Sequence, residues 1–141
     1  MQDGLAFSEI EVGDEIKPLT KMVTIPQLFM YSAAIWSPLR LHYDPDYARK
    51  KAKLPGALIH ASLEGCFLAQ MLEKWTGGNG IVRELSWNSR GMAVADETLT
   101  CGGRVTNKYV KDGEKFLECE IWVKNDRGDN LSPGNALLSL L

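Results

Sequence analysis

The stretch His60–Trp75, HASLEGCFLAQMLEKW, constrains the fold more than any other part of the chain. Leu63, Cys66, Phe67, Leu68, Ala69, Met71, Leu72 and Trp75 cover most of a helical circumference. A helix that is apolar nearly all round is expected to be buried nearly all round. Gly77-Gly78 supplies the stop that such a helix needs. The rest of the sequence must therefore provide a surface able to enclose a long helix over residues 60–75.

That surface reads as an antiparallel sheet. Beyond residue 80 the hydrophobic period shortens, and IVRELSWNS, ETLTCGGRVTNKYV, KFLECEIWV and NALLSLL read as strands. Lys111-Asp112-Gly113 and Asn125-Asp126-Arg127-Gly128 carry hairpin-turn chemistry between the last three. Upstream, Gly13-Asp14 precedes a first strand over residues 14–24. Pro26 opens a helix with apolar spacing at Leu28, Tyr31 and Ile35, and Pro38 closes it. LRLHY reads as a short extended stretch, after which Asp44 caps a second short helix, DYARKKA. One strand, three helices and four strands give an α+β domain spanning residues 1–141, a sheet wrapped around one long central helix.

Charge and composition narrow the function. The formal net charge is −2, and no basic cluster exceeds Arg49-Lys50-Lys51, which excludes a general nucleic-acid binder. No apolar run approaches the roughly 18 residues of a membrane span. The N-terminal segment is acidic where a secretory signal would be basic, so a cytoplasmic protein without membrane partners is expected. Cys66, Cys101 and Cys119 have neither metal-ligand nor disulfide spacing and are expected to be buried, reduced thiols. The sequon at Asn130 is read as chance.

Two histidines carry what chemistry there is. His60 stands at the start of the long helix, where open backbone N–H groups can stabilise an oxyanion. His42 lies between helices, flanked by Arg40, Tyr43 and Asp44. An imidazole with an ordinary pKa near ~6.5 suits proton transfer at neutral pH. Asp44 is accounted for as a helix cap, and Tyr31 and Trp36 as core residues ahead of pocket walls. Ser62 follows His60 but has no nucleophile-elbow pattern around it, and helix capping explains it as well. The glycine pairs 77–78 and 102–103 lack the setting of a phosphate loop.

The order of these pieces resembles the MaoC-like (R)-specific enoyl-CoA hydratase and 3-hydroxyacyl-thioester dehydratase family. Arg40-Leu41-His42-Tyr43-Asp44, Tyr47-Ala48, Pro55-Gly56 and Ile59-His60 fall in step with its N-x-H-R-I-H-Y-D-x-x-Y-A and P-G-L-(V/I)-V-H-G pattern. VGDEIKPLT and ADETLTCGGRVT match flanking strands, so the similarity spans nearly the whole chain. The resemblance implies a hot-dog fold and action on acyl thioesters, with acyl-CoA or an acyl-carrier thioester as substrate and no separate cofactor or metal. It places the catalytic histidine at His42 and its partner at Ser37, where the family has Asp or Asn. His60 and the backbone N–H of Ala61 fall on the oxyanion site, with Arg40 and Tyr43 as further substrate-binding candidates.

The expected activity is reversible hydration of a trans-2-enoyl thioester to the 3-hydroxyacyl form. A serine can hold a water but is no base at neutral pH. The alternative is therefore a degenerate hot-dog subunit that binds acyl-CoA or supports an active partner. A thioesterase using Glu64 ranks third. Leu117, Cys119, Ile121 and Val123 line one strand face and Phe116 and Trp122 the other, more apolar surface than one helix covers. Together with unprotected sheet edges, this predicts a homodimer or larger hot-dog oligomer, or a heteromer with a related subunit.

Overall fold

The computed structural model describes residues 5–141. Five strands form one antiparallel sheet: β1 (Glu15–Met22), β2 (Gly80–Trp87), β3 (Thr98–Lys111), β4 (Glu114–Lys124) and β5 (Asn130–Leu140), in the order β1-β3-β4-β5-β2. The helices are α1 (Ile25–Ala34), α2 (Pro45–Lys50) and α3 (Ala61–Thr76). This is the hot-dog arrangement expected from the sequence, with α3 packed on the sheet.

The core forms where the inward face of the sheet meets one face of α3. On β4, Leu117, Cys119, Ile121 and Val123 are all buried, and Leu68, Met71 and Leu72 come down on them from α3. The helix is not buried all round. Glu64, Gly65, Leu68, Met71, Leu72 and Thr76 form its buried face, whereas Ser62, Cys66, Glu73 and Lys74 are exposed. One sheet can cover only one side of a helix, so the apolar residues around the rest of α3 remain partly open in a single chain. Cys66 is accordingly an exposed thiol, contrary to expectation, while Cys101 and Cys119 are buried. Burial pushes both of those thiols up to about 12, well out of reactive range.

The N-terminal end of α3 is fixed by a close contact with β2. A Cβ on Gly65 would stand 2.3 Å from the Trp87 ring, so only glycine lets the indole lie against the helix there. The Trp87 Nε1–H donates to the Ala61 carbonyl at 2.9 Å, tying the first turn to the sheet.

Of three local details, the first and last depart from the sequence reading and the second agrees with it. LRLHY is not extended, because Arg40–His42 form a 3-10 turn. Asp44 caps α2 through Oδ1, which accepts from the Tyr47 N–H at 2.9 Å. β5 starts at Asn130, ahead of the alternating segment, and runs through Ser132-Pro133-Gly134. The Pro-Gly pair hides this part of the strand from pattern reading. It is tolerated because a Cβ at position 134 would collide with the β2 backbone, 2.1 Å from the Ser86 carbonyl oxygen.

Candidate active site

α1 begins with a capping box, in which Thr24 accepts from the Gln27 N–H and the Gln27 side chain accepts from the Thr24 N–H. It ends in a Schellman motif: Ser37 N–H donates to the Ser32 carbonyl at 2.8 Å and Trp36 N–H to the Ala33 carbonyl at 3.2 Å. The left-handed position of this motif, usually glycine, is Trp36, with φ of 55°. The strained turn brings Ser37 in toward the body of the protein and leaves Trp36 89% exposed. Trp36 is thus not a core residue.

The next turn carries His42. Its Nδ1–H donates to the Leu58 carbonyl at 2.7 Å, while the Leu58 N–H donates to the Leu41 carbonyl at 2.9 Å. A carbonyl can only accept, so this contact fixes the neutral His42 ring in the tautomer that leaves Nε2 with a free lone pair. Leu58 is itself held by an isolated bridge to Val94, and Ile59 N–H donates to the Ala93 carbonyl at 2.8 Å. The His42 ring is therefore braced by backbone rather than by a carboxylate.

His60 is the N-cap of α3 and makes no side-chain capping bond. The N–H groups of Leu63 and Glu64 reach the His60 carbonyl. By helix geometry the amides of Ala61 and Ser62 have no intrahelical acceptor, and the dipole adds positive potential there. The His60 ring stacks on His42 with centroids 3.7 Å apart and planes 15° apart. Its Nε2 lies 3.0 Å from the buried Ser32 Oγ, and the Tyr31 ring meets it edge-on at 4.9 Å. Burial, and secondarily the adjacent His42, push the His60 pKa down to about 4, so it is neutral at neutral pH.

Ser37, His42, His60, Ala61 and Ser62 line one cleft of about 380 Å³, bounded on the far side by Ser89, Gly91 and Met92. An unprotonated imidazole nitrogen, a hydroxyl and open helix-terminal amides in one recess can move a proton beside a polarised carbonyl. Arg40 and Tyr43 lie outside that lining. Arg40 is exposed, pairs with Asp44 at 2.7 Å and covers the Tyr47 ring. The Tyr43 hydroxyl donates to the Pro38 carbonyl at 3.1 Å. The Tyr47 amide first, and Arg40 second, hold the Asp44 carboxyl below its usual range, as expected of a cap.

Glu64 points away from the cleft. It is buried against the sheet, where its carboxylate accepts from the Ser132 hydroxyl, and burial raises its pKa. Ser62 accepts from the Tyr31 hydroxyl at 3.0 Å. It neither caps α3 nor is paired with a histidine.

Residues 11–95, more than half of the chain, match the family model for hydroxyacyl-thioester dehydratase type 2. The chain belongs to the hydroxyacyl-thioester dehydratase type 2 family. No curated protein matches its sequence. Among solved structures, the R-hydratase PhaJ1 from Pseudomonas aeruginosa is similar with a TM-score of 0.87 at 18% identity, over 97% of this chain and 86% of that one. The (R)-hydratase from A. caviae involved in PHA biosynthesis gives 0.83 at 19% identity, over 94% and 98%. The ChsH1-ChsH2 complex from Mycobacterium tuberculosis gives 0.78 at 17% identity, over 93% and 98%. At these identities the likeness is one of fold.

In this dehydratase-family chain, the contacts that hold the two histidines and the first turn of α3 are not visible in the sequence. Ser32, the Leu58 carbonyl and Trp87 act across 28, 16 and 26 positions of chain, through contacts that no local pattern encodes. Among the described residues, no group of three or more His, Cys, Asp or Glu side chains is placed to hold a metal ion. No described helix is long and apolar enough to cross a membrane.

Proposed function

We propose that the protein catalyses the reversible hydration of a trans-2-enoyl thioester to the 3-hydroxyacyl thioester, with acyl-CoA or an acyl-carrier thioester as substrate. The observation that carries the reading is the His42 tautomer. Its Nδ1–H is committed to Leu58, and its Nε2 is free in a cleft that also holds the open amide of Ala61. In the hydration direction, His42 Nε2 takes a proton from the water that attacks C3 of the enoyl group. The C2=C3 electron pair moves toward the thioester, and the Ala61 N–H stabilises the resulting enolate oxygen with help from the α3 dipole. The imidazolium then returns a proton to C2, so no net proton is consumed. Ser37 orients the water through its hydroxyl. A single base that works at both ends of the cycle suits a chain that has serine where the family has a carboxylate or amide.

Mixing the purified protein with crotonyl-CoA and longer enoyl-CoAs, and following loss of the conjugated absorbance, tests this. Turnover is expected with at least one chain length. No turnover by a protein that still binds acyl-CoA would contradict it.

Ser37 favours one second reading, a subunit that binds acyl thioester and completes an active partner. The fold neighbour ChsH1-ChsH2 is itself a complex of two named components. Ser37→Asp discriminates between the two. A degenerate subunit gains hydratase activity with the carboxylate, whereas a site organised around His42 and a serine-held water loses it.

A further inference from the structure

Ser32 is buried in the C-terminal turn of α1, only 3% exposed, in a region the catalytic reading does not use. It has two separate connections to the site. Its carbonyl accepts the Ser37 N–H at 2.8 Å and so sets where Ser37 stands. Its hydroxyl lies 3.0 Å from His60 Nε2. The other His60 nitrogen, Nδ1, is buried and has no protein partner. One hydrogen bond therefore restrains both the rotation and the tautomer of a ring that lies flat against the His42 base at 3.7 Å.

The direction of that bond follows from the position of His60. As the N-cap of α3, His60 stands at the positive end of the helix, and its Nδ1 is buried with no partner, where an unpaired lone pair costs less than an unpaired N–H. Nε2 then carries the proton and donates to Ser32 Oγ. The serine oxygen is then the acceptor of that bond. The two stacked rings are thereby set in opposite tautomers, Nδ1–H on His42 and Nε2–H on His60. The consequence concerns charge. His42 must become cationic during turnover, and a second cation 3.7 Å away would oppose it, so His60 has to stay neutral and in place.

We infer that Ser32 is a positioning residue: its hydroxyl locks the His60 ring, face-on against His42, in the neutral Nε2–H tautomer, and this stack holds His42 for proton transfer. The last clause rests on the hydratase reading; the lock itself does not.

The chain has only two histidines, so its imidazole nitrogens can be assigned directly by long-range proton–nitrogen correlation spectra of uniformly labelled protein. Wild-type spectra are expected to show His42 as Nδ1–H and His60 as Nε2–H, each a single tautomer near neutral pH. Ser32→Ala is expected to turn His60 into a tautomer mixture while the protein stays folded, and to lower kcat by about tenfold with little change in KM. Ser32→Thr keeps the hydroxyl and should restore both. A wild-type His60 that is already mixed, or one unchanged by Ser32→Ala, would overturn the lock whatever the turnover. A wild-type protein that shows the locked pattern, loses it in Ser32→Ala and hydrates no enoyl-CoA would support the lock and sink the hydratase reading. A locked pattern lost without any fall in kcat would overturn the positioning role.

Discussion

At the scale of single residues, the candidate site holds two imidazoles set apart by what each ring touches. His42 is braced by a backbone carbonyl, whereas His60 is enclosed by Ser32, Tyr31 and His42 itself. This predicts a pH dependence with a definite sign. His60 has its pKa pushed down to about 4 in the folded protein, from an ordinary 6.5. As pH falls the unfolded chain takes up the proton first. Stability is therefore complete above about pH 6.5 and is lost as pH drops toward 4, by about 3 kcal/mol in all. Urea melts at pH 7 and pH 4.5 check this, with His60→Gln expected to flatten the difference. An unchanged pH dependence in that variant would show that His60 is not the group responsible. The two histidines and Ala61 were legible in the sequence because they sit in an ordered motif around a helix start. Ser32 was not, because a serine inside a helix gives no sign of what it faces 28 residues away.

At the scale of elements, α3 is where sequence reading succeeded on placement and failed on exposure. Its bounds, its glycine stop and its place against the sheet follow from apolar content and turn chemistry. The all-round burial does not hold, because periodicity counts apolar residues without knowing how many surfaces are available to cover them. Cys66 and Phe67 show the result, one exposed and the other only half-buried. The Arg40–His42 turn was read as extended because three residues are too few to carry a period. Gly65 shows how tertiary packing can reverse a local preference. Glycine to alanine within a helix ordinarily stabilises by about 1 kcal/mol. Here the added methyl would meet the Trp87 ring at 2.3 Å. Gly65→Ala is therefore expected to destabilise by about 1–3 kcal/mol through overpacking, and to disturb the Trp87–Ala61 bond that anchors the N-terminal turn of the helix. A rise in the denaturation midpoint would contradict the close packing of α3 on β2.

At the scale of the whole molecule, one chain leaves its site poorly enclosed. Phe29, Met30, Trp36 and Leu39 are exposed near the cleft-bearing turns, and the outward side of α3 has no cover. The sheet also ends in two edges, β1 and β2, with unpaired backbone groups. A second chain is the plainest way to bury this surface, and two-fold dimers are the commonest closed assemblies. Light scattering at micromolar concentration is expected to give at least twice the 15.7 kDa of one chain. A stable monomer would instead point to a different, complementary subunit. In the proposed reaction His42, held in one tautomer by Leu58, moves the proton in enoyl-thioester hydration. The most direct test is the initial rate of enoyl-CoA absorbance loss for wild type and for His42→Ala, each shown to be folded by its melting temperature. A fall of roughly 100-fold or more with the fold intact is expected. Equal rates from the two folded proteins would contradict it.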